Sequence, residues 1–160
     1  MKMKKILMFG LVLIAALSTM TALSATNDTT NSTTNNGTIT IENLNFKLPA
    51  GYTEVERDSD TSTATDSEDI DGTVVDKESS SEFRNANGEI IKIKVGKRSS
   101  GKIDTLNFPG TQEKTINGKQ GYFWTEMHNG KTEYKFEYIN DGKVIKIVTN
   151  SEDTLNQILS

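Results

Sequence analysis

The chain has 160 residues, with 22 acids against 18 lysines and arginines for a formal charge of −4, a single histidine and no cysteine. Without cysteine there is no disulfide, no thiol nucleophile and no thiolate metal site. A lone His128 beside a turn builds neither a histidine triad nor a multi-histidine metal site, and the acidic balance argues against a nucleic-acid partner, which needs a basic patch.

The first element is a leader. Lys2, Lys4 and Lys5 precede an uncharged run from Ile6 to Leu23, and Ala22-Leu23-Ser24 places small residues at the −3 and −1 positions of a cleavage site. This is the three-part layout of a secretory signal peptide, expected over residues 1–24. The rival reading is an uncleaved membrane anchor, the only route by which a membrane would be a partner. Ser18, Thr19 and Thr21 dilute the end of the run and favour cleavage. No cysteine follows the run, so lipid attachment through a thiol is excluded. Without the leader lysines, fifteen basic residues face twenty-two acids, a formal charge of −7. A secreted or cell-surface location is expected.

Residues 25–37 form an Asn/Thr-rich stretch expected to be a disordered tether. It holds three Asn-x-Ser/Thr sequons, at Asn27, Asn31 and Asn36, the candidate glycosylation sites. Low-complexity Asn/Thr composition alone would also generate them.

A single domain is expected over 38–160, long enough for one core without staples. Ile39 and Ile41 alternate, as do Phe46 and Leu48 after a Glu42-Asn43 corner, and Pro49 ends that pair of strands. Residues 54–72 are acidic, poor in apolar residues and expected to be a mobile loop. The stretch 73–84 reads as a weak strand. Ile91, Ile93 and Val95 alternate with Lys92 and Lys94 as a half-buried strand. A loop follows from Gly96 to Gly110, with a helical turn expected near Ile103 to Leu106.

Asn117-Gly118, Asn129-Gly130 and Asp141-Gly142 are two-residue hairpin turns, since both central residues take positive φ there. Counting outward pairs Trp124 with Lys135, Phe123 with Phe136, Glu137 with Lys146 and Phe136 with Ile147. One face then carries Phe123, Tyr134, Phe136, Tyr138, Ile145 and Ile147, the expected core. The other carries Tyr122, Trp124, Lys135, Glu137 and Lys146. About Asn117-Gly118 the same count puts Lys114 and Gln112 on the core side, which a bulge or longer loop there would correct, so the register of that hairpin is left open. Ser151 suits a helix N-cap, with Glu152 and Asp153 in the first turn and Leu155, Ile158 and Leu159 on one stripe. The expected fold is α+β: a largely antiparallel sheet, a meander of hairpins, with one short C-terminal helix.

The stretches "FKLPAGY" (Phe46 to Tyr52), "TINGKQGYF" (Thr115 to Phe123) and "GKVIKIVTNSEDTLNQIL" (Gly142 to Leu159) resemble small exported proteins of methanogenic archaea. These motifs are structural. The resemblance implies an archaeal envelope setting and brings no activity, cofactor or catalytic residue with it.

Two groups of residues suggest chemistry. Laid on a calcium-loop template, Ser67 to Glu78 puts Asp69 and Asp71 at the third and fifth positions, Gly72 at the sixth and Glu78 at the bidentate twelfth. Ser67 stands where an aspartate is expected and neither flank reads as a helix, so an acidic loop running into a strand is the competing reading. Tyr122, Trp124 and Lys135 share the non-core face as a candidate binding platform for a sugar or a partner chain, unless a loop or strand covers them. There is no P-loop and no dinucleotide-type glycine motif. Acids are plentiful enough for a two-carboxylate glycosidase, but a domain this small, with its acids mostly in a loop, offers no obvious cleft. The expectation is a non-enzymatic envelope-associated binding or structural module for an unknown cell-surface protein or glycan. The alternative is a soluble extracytoplasmic protein that binds a small ligand or calcium. No other cofactor is expected.

Overall fold

Apolar alternation and turn residues at positive φ fold most of the chain into antiparallel hairpins. The computed structural model describes residues 33–35, 37–58, 70, 73 and 75–160. A small sheet joins β1 (Thr33–Asn35), β2 (Thr38–Ile41) and β3 (Leu44–Lys47). A seven-stranded sheet joins β4 (Thr53–Asp58), β5 (Lys77–Arg84), β6 (Ile90–Lys97), β7 (Gln112–Ile116), β8 (Lys119–His128), β9 (Lys131–Asn140) and β10 (Lys143–Thr149), in the order β4-β5-β6-β10-β9-β8-β7. Helix α1 (Glu152–Leu159) follows. The expected α+β class, with one short C-terminal helix, is what the chain adopts. Among the described residues no helix is long and apolar enough to cross a membrane; the leader lies outside them.

The three expected turns close as two-residue hairpins, with φ of 48°, 50° and 51° at Asn117, Asn129 and Asp141 and positive φ at the glycine that follows each. Phe123 opposes Phe136, Trp124 opposes Lys135 and Glu137 opposes Lys146, the register counted from the turns. The hairpin about Asn117-Gly118 needs no bulge. Lys114 opposes Gly121 and does fall on the core side. It is accommodated because its ammonium sits 4.0 Å above the Phe123 ring and 2.5 Å from Glu152 in the first turn of α1. Ser151 caps that helix, its hydroxyl accepting from the Thr154 amide.

The inner face of the large sheet is the main core. Phe83, Ile91, Ile93, Val95, Phe136, Tyr138, Ile145 and Ile147 present it. The β2–β3 hairpin lays Ile39, Ile41, Leu44 and Phe46 on that face, and α1 adds Leu155, Ile158 and Leu159. The hairpin is fastened at its turn. Glu42 receives Lys97 in an ion pair and the Ser79 hydroxyl at 2.8 Å, while its carbonyl accepts from Lys143 at 2.8 Å. Burial alone would raise the Glu42 carboxyl, but hydrogen bonds from Lys97 and Ser79, with the charges of Lys97 and Lys143, hold it below the ordinary glutamate value.

The outer face carries a second, smaller core. β10 sits between β6 and β9, so the segment from Arg98 to Thr111 must pass β10, β9 and β8 to reach β7 at the far edge. No helical turn forms at Ile103 to Leu106. The segment runs as an open strap, its Ile103 amide bonded to the Gly142 carbonyl at 2.9 Å. Ile103 and Leu106 pack with Ile70 and Val75 on Val144 and Ile139. Gly96 makes the room: a Cβ there would stand 2.6 Å from Val75 Cγ1 and 2.7 Å from Ile70 Cδ1.

Three boundaries differ from expectation. β1 lies inside the stretch read as tether, because an edge strand is held by backbone hydrogen bonds and needs no apolar side chain. The acidic stretch opens with β4 and contains the buried Ile70. The strand expected from Thr73 starts only at Lys77, because Val75 turns into the outer core.

Two outcomes follow. Gly96→Ala should cost about 1–3 kcal/mol by overpacking the outer core, read by chemical denaturation. Glu42 has a depressed value in the folded state, so its contribution is present above the ordinary carboxylate range and lost as pH falls through that depressed value. Glu42→Gln should therefore cost about 1–2 kcal/mol at neutral pH and little at low pH, so the variant's stability should be less pH-dependent on the acid side.

Candidate functional site

Directly opposed residues of an antiparallel sheet stand side by side, so the outer face reads as rows across the strands. The first row, Gly96, Val144 and Ile139, lies under the strap. The second runs Lys94, Lys146, Glu137 and Tyr122; the third runs Glu82, Lys92, Val148, Lys135 and Trp124. Tyr122, Trp124 and Lys135 therefore share the outer face, as expected of a platform.

The two aromatic residues are not bare. Phe108, carried by the strap, places its ring 5.1 Å from Tyr122 and 5.2 Å from Trp124, tilted 34° and 38°. All three rings are half-buried. The Lys146 ammonium lies 5.5 Å from the Trp124 ring centroid. Phe108 was not singled out from the sequence, where its one signal is to be a large apolar residue beside Pro109-Gly110 in a polar loop. Glu137 and Lys146 lie on the non-core face as expected and are nevertheless buried, Glu137 wholly so.

Beyond the strap the outer face stays open as a depression of about 530 Å³. Arg84, Lys92, Lys94, Lys131, Lys135 and Lys146 line it, against Glu82 and Glu133. His128 stands at its rim and is exposed. Arg84 holds Glu82 at 2.8 Å, and Lys94 holds Glu78, just outside the depression, at 3.1 Å. Lys135 reaches Glu126 at 2.5 Å and Glu133 at 3.4 Å. Burial pulls the Lys135 ammonium down, but the hydrogen bond and charge of Glu126, with Glu133 beside it, outweigh burial and hold it above the ordinary lysine value. The hydrogen bond from Lys135 in turn holds the Glu126 carboxyl below its usual range. Lys131 donates to the Gly88 carbonyl at 3.0 Å. Among the described residues neither Lys92 nor Lys131 enters an ion pair.

Of the expected calcium ligands, Asp69 and Asp71 lie outside the described residues, and Glu78 points its carboxylate at Lys94. Among the described residues no group of three or more His, Asp or Glu is placed to hold a metal ion. Asn27, Asn31 and Asn36 also lie outside the described residues.

Trp124 is the single tryptophan, so its emission reports the strap directly. Phe108→Ala should shift that emission to the red at a cost of about 1–2 kcal/mol. Trp124→Ala, which removes the partner of both Phe108 and Lys146, should cost about 2–4 kcal/mol. An unshifted emission in Phe108→Ala would mean that the strap does not cover the indole.

Neither a protein-family model, nor a curated protein, nor a solved structure matches this chain.

Proposed function

We propose that the chain is an extracytoplasmic, non-enzymatic binding module of the cell envelope, and that its binding surface is the open part of the outer sheet face. The observation that carries this reading is the 530 Å³ depression lined by six cations on a chain of net charge −4. The inner face of the same sheet is filled by the β2–β3 hairpin and α1. The charged leader followed by an apolar run, the Asn/Thr-rich stretch behind it and the resemblance to small exported archaeal proteins support an extracytoplasmic location.

A binding role suits the depression better than a catalytic one. A carboxylate that works as general acid or base must be free to meet a substrate proton. Glu82 and Glu133, the two carboxylates in the depression, are each engaged with a neighbouring cation.

Purified protein mixed with isolated cell envelopes of its source should co-sediment with them. Lys92→Glu, which reverses a charge in the depression, should leave the protein in the supernatant. Protein that stays in solution without the substitution, or that sediments equally well with it, overturns the reading.

A further inference from the structure

The depression offers both signs of charge, and that mixture discriminates among ligands. Its carboxylates are paired internally, Glu82 with Arg84 and Glu133 with Lys135, while Lys92 on β6 and Lys131 at the β8–β9 turn enter no ion pair among the described residues. The surplus positive charge is therefore sparse and spread across the strands. A ligand with closely spaced anions, such as polyphosphate, would set some of them against Glu82 and Glu133. Arg84, the one guanidinium in the lining, gives Nε and Nη2 to one oxygen of Glu82 at 3.0 and 2.8 Å, so a phosphate there would have to approach beside the Glu82 carboxylate. Lysines act as point charges and suit a carboxylate on a flexible chain. Glutamates beside them accept hydrogen bonds from hydroxyl groups. Trp124 follows Lys135 in the same row at the border of the charged surface, its ring already engaged by Phe108 and the Lys146 ammonium.

We infer that the ligand of this face is an acidic polysaccharide, a chain of hydroxyl-rich rings with widely spaced carboxylates. The inference rests on the reading of the outer face as the binding surface. The ring carboxylates lie on Lys92 and Lys131, the hydroxyls donate hydrogen bonds to Glu82 and Glu133, and the overall acidity of the chain keeps densely charged polymers away.

Affinity electrophoresis of the purified protein through gels containing polygalacturonate or neutral dextran tests it. Polygalacturonate should retard the protein, dextran should not, and soluble polyphosphate should compete poorly. Lys92→Gln with Lys131→Gln should weaken retardation by about tenfold or more, with the Trp124 emission and thermal melt unchanged as a check on folding. No retardation by polygalacturonate, equal retardation by dextran, competition by polyphosphate as strong as by free uronate, or retardation untouched by the double substitution each overturns the inference. If polygalacturonate fails while Lys92-dependent sedimentation with envelopes persists, the ligand class is wrong and the binding face stands. If both fail, the face itself is wrong.

Discussion

The pairing of β10 with β6 at the middle of the large sheet governs what the rest of the chain must do. With β10 on one side of β6 and β5 on the other, β6 has no free edge for the next strand in sequence. The chain leaving β6 must pass three strands before it can pair again, a span of about 19 Å at the usual strand spacing. It does so on the outer face, because the inner face is filled. A crossing segment needs apolar footing, which Gly96, Val144 and Ile139 supply at one end of the sheet. Where that footing stops, the rows turn to lysine and glutamate and the face opens. The depression is thus the remainder of a topological requirement, and its position follows from how far the strap extends.

The inner face solves a different problem. A four-residue strand pair such as β2–β3 is marginal alone, and it is held by apolar residues below and by the Glu42 turn above. That turn draws on Ser79 of β5, Lys97 of β6 and Lys143 of β10. One residue, through its carboxylate and its backbone carbonyl, therefore ties the small sheet to three strands of the large one. Lys114 plays a comparable part at the opposite edge, joining β7 to the start of α1 where the helix dipole favours the negative charge of Glu152.

What could be read from the sequence was local. Asn-Gly and Asp-Gly pairs set register by short-range backbone geometry, so Phe123 opposite Phe136 and Glu137 opposite Lys146 could be counted residue by residue. Ser151, Glu152 and Asp153 likewise mark a helix start within one turn. What was not legible depends on partners far along the chain. Ile103 and Leu106 are three apart, a spacing that fits one helical turn as well as an open strap, and only the position of β10 decides between them. Alternation places Glu137 and Lys146 on the outer face correctly, but it cannot say that they are buried there. Lys114 looked misplaced because its compensation, Phe123 and Glu152, comes from two other elements. The candidate site divides in the same way: Tyr122, Trp124 and Lys135 were placed on one face by register, while Phe108 and the lysine-lined depression required the tertiary fold.

The central place of β10 also bears on how the chain reaches its fold. Its partners in β6 lie some fifty residues upstream, and such distant pairing is slow to form. Until it forms, β6 and β10 are edges, because β10 is already held to β9 by its two-residue hairpin, and each edge has a row of unsatisfied backbone groups ready to pair with another molecule. Those two strands carry Lys92 and Lys94, and Lys146, at the middle of their lengths. Charges there make edge-to-edge association between unfinished chains costly. Residues that line the depression in the finished domain thus act earlier as gatekeepers, keeping each half-sheet single until β6 meets β10.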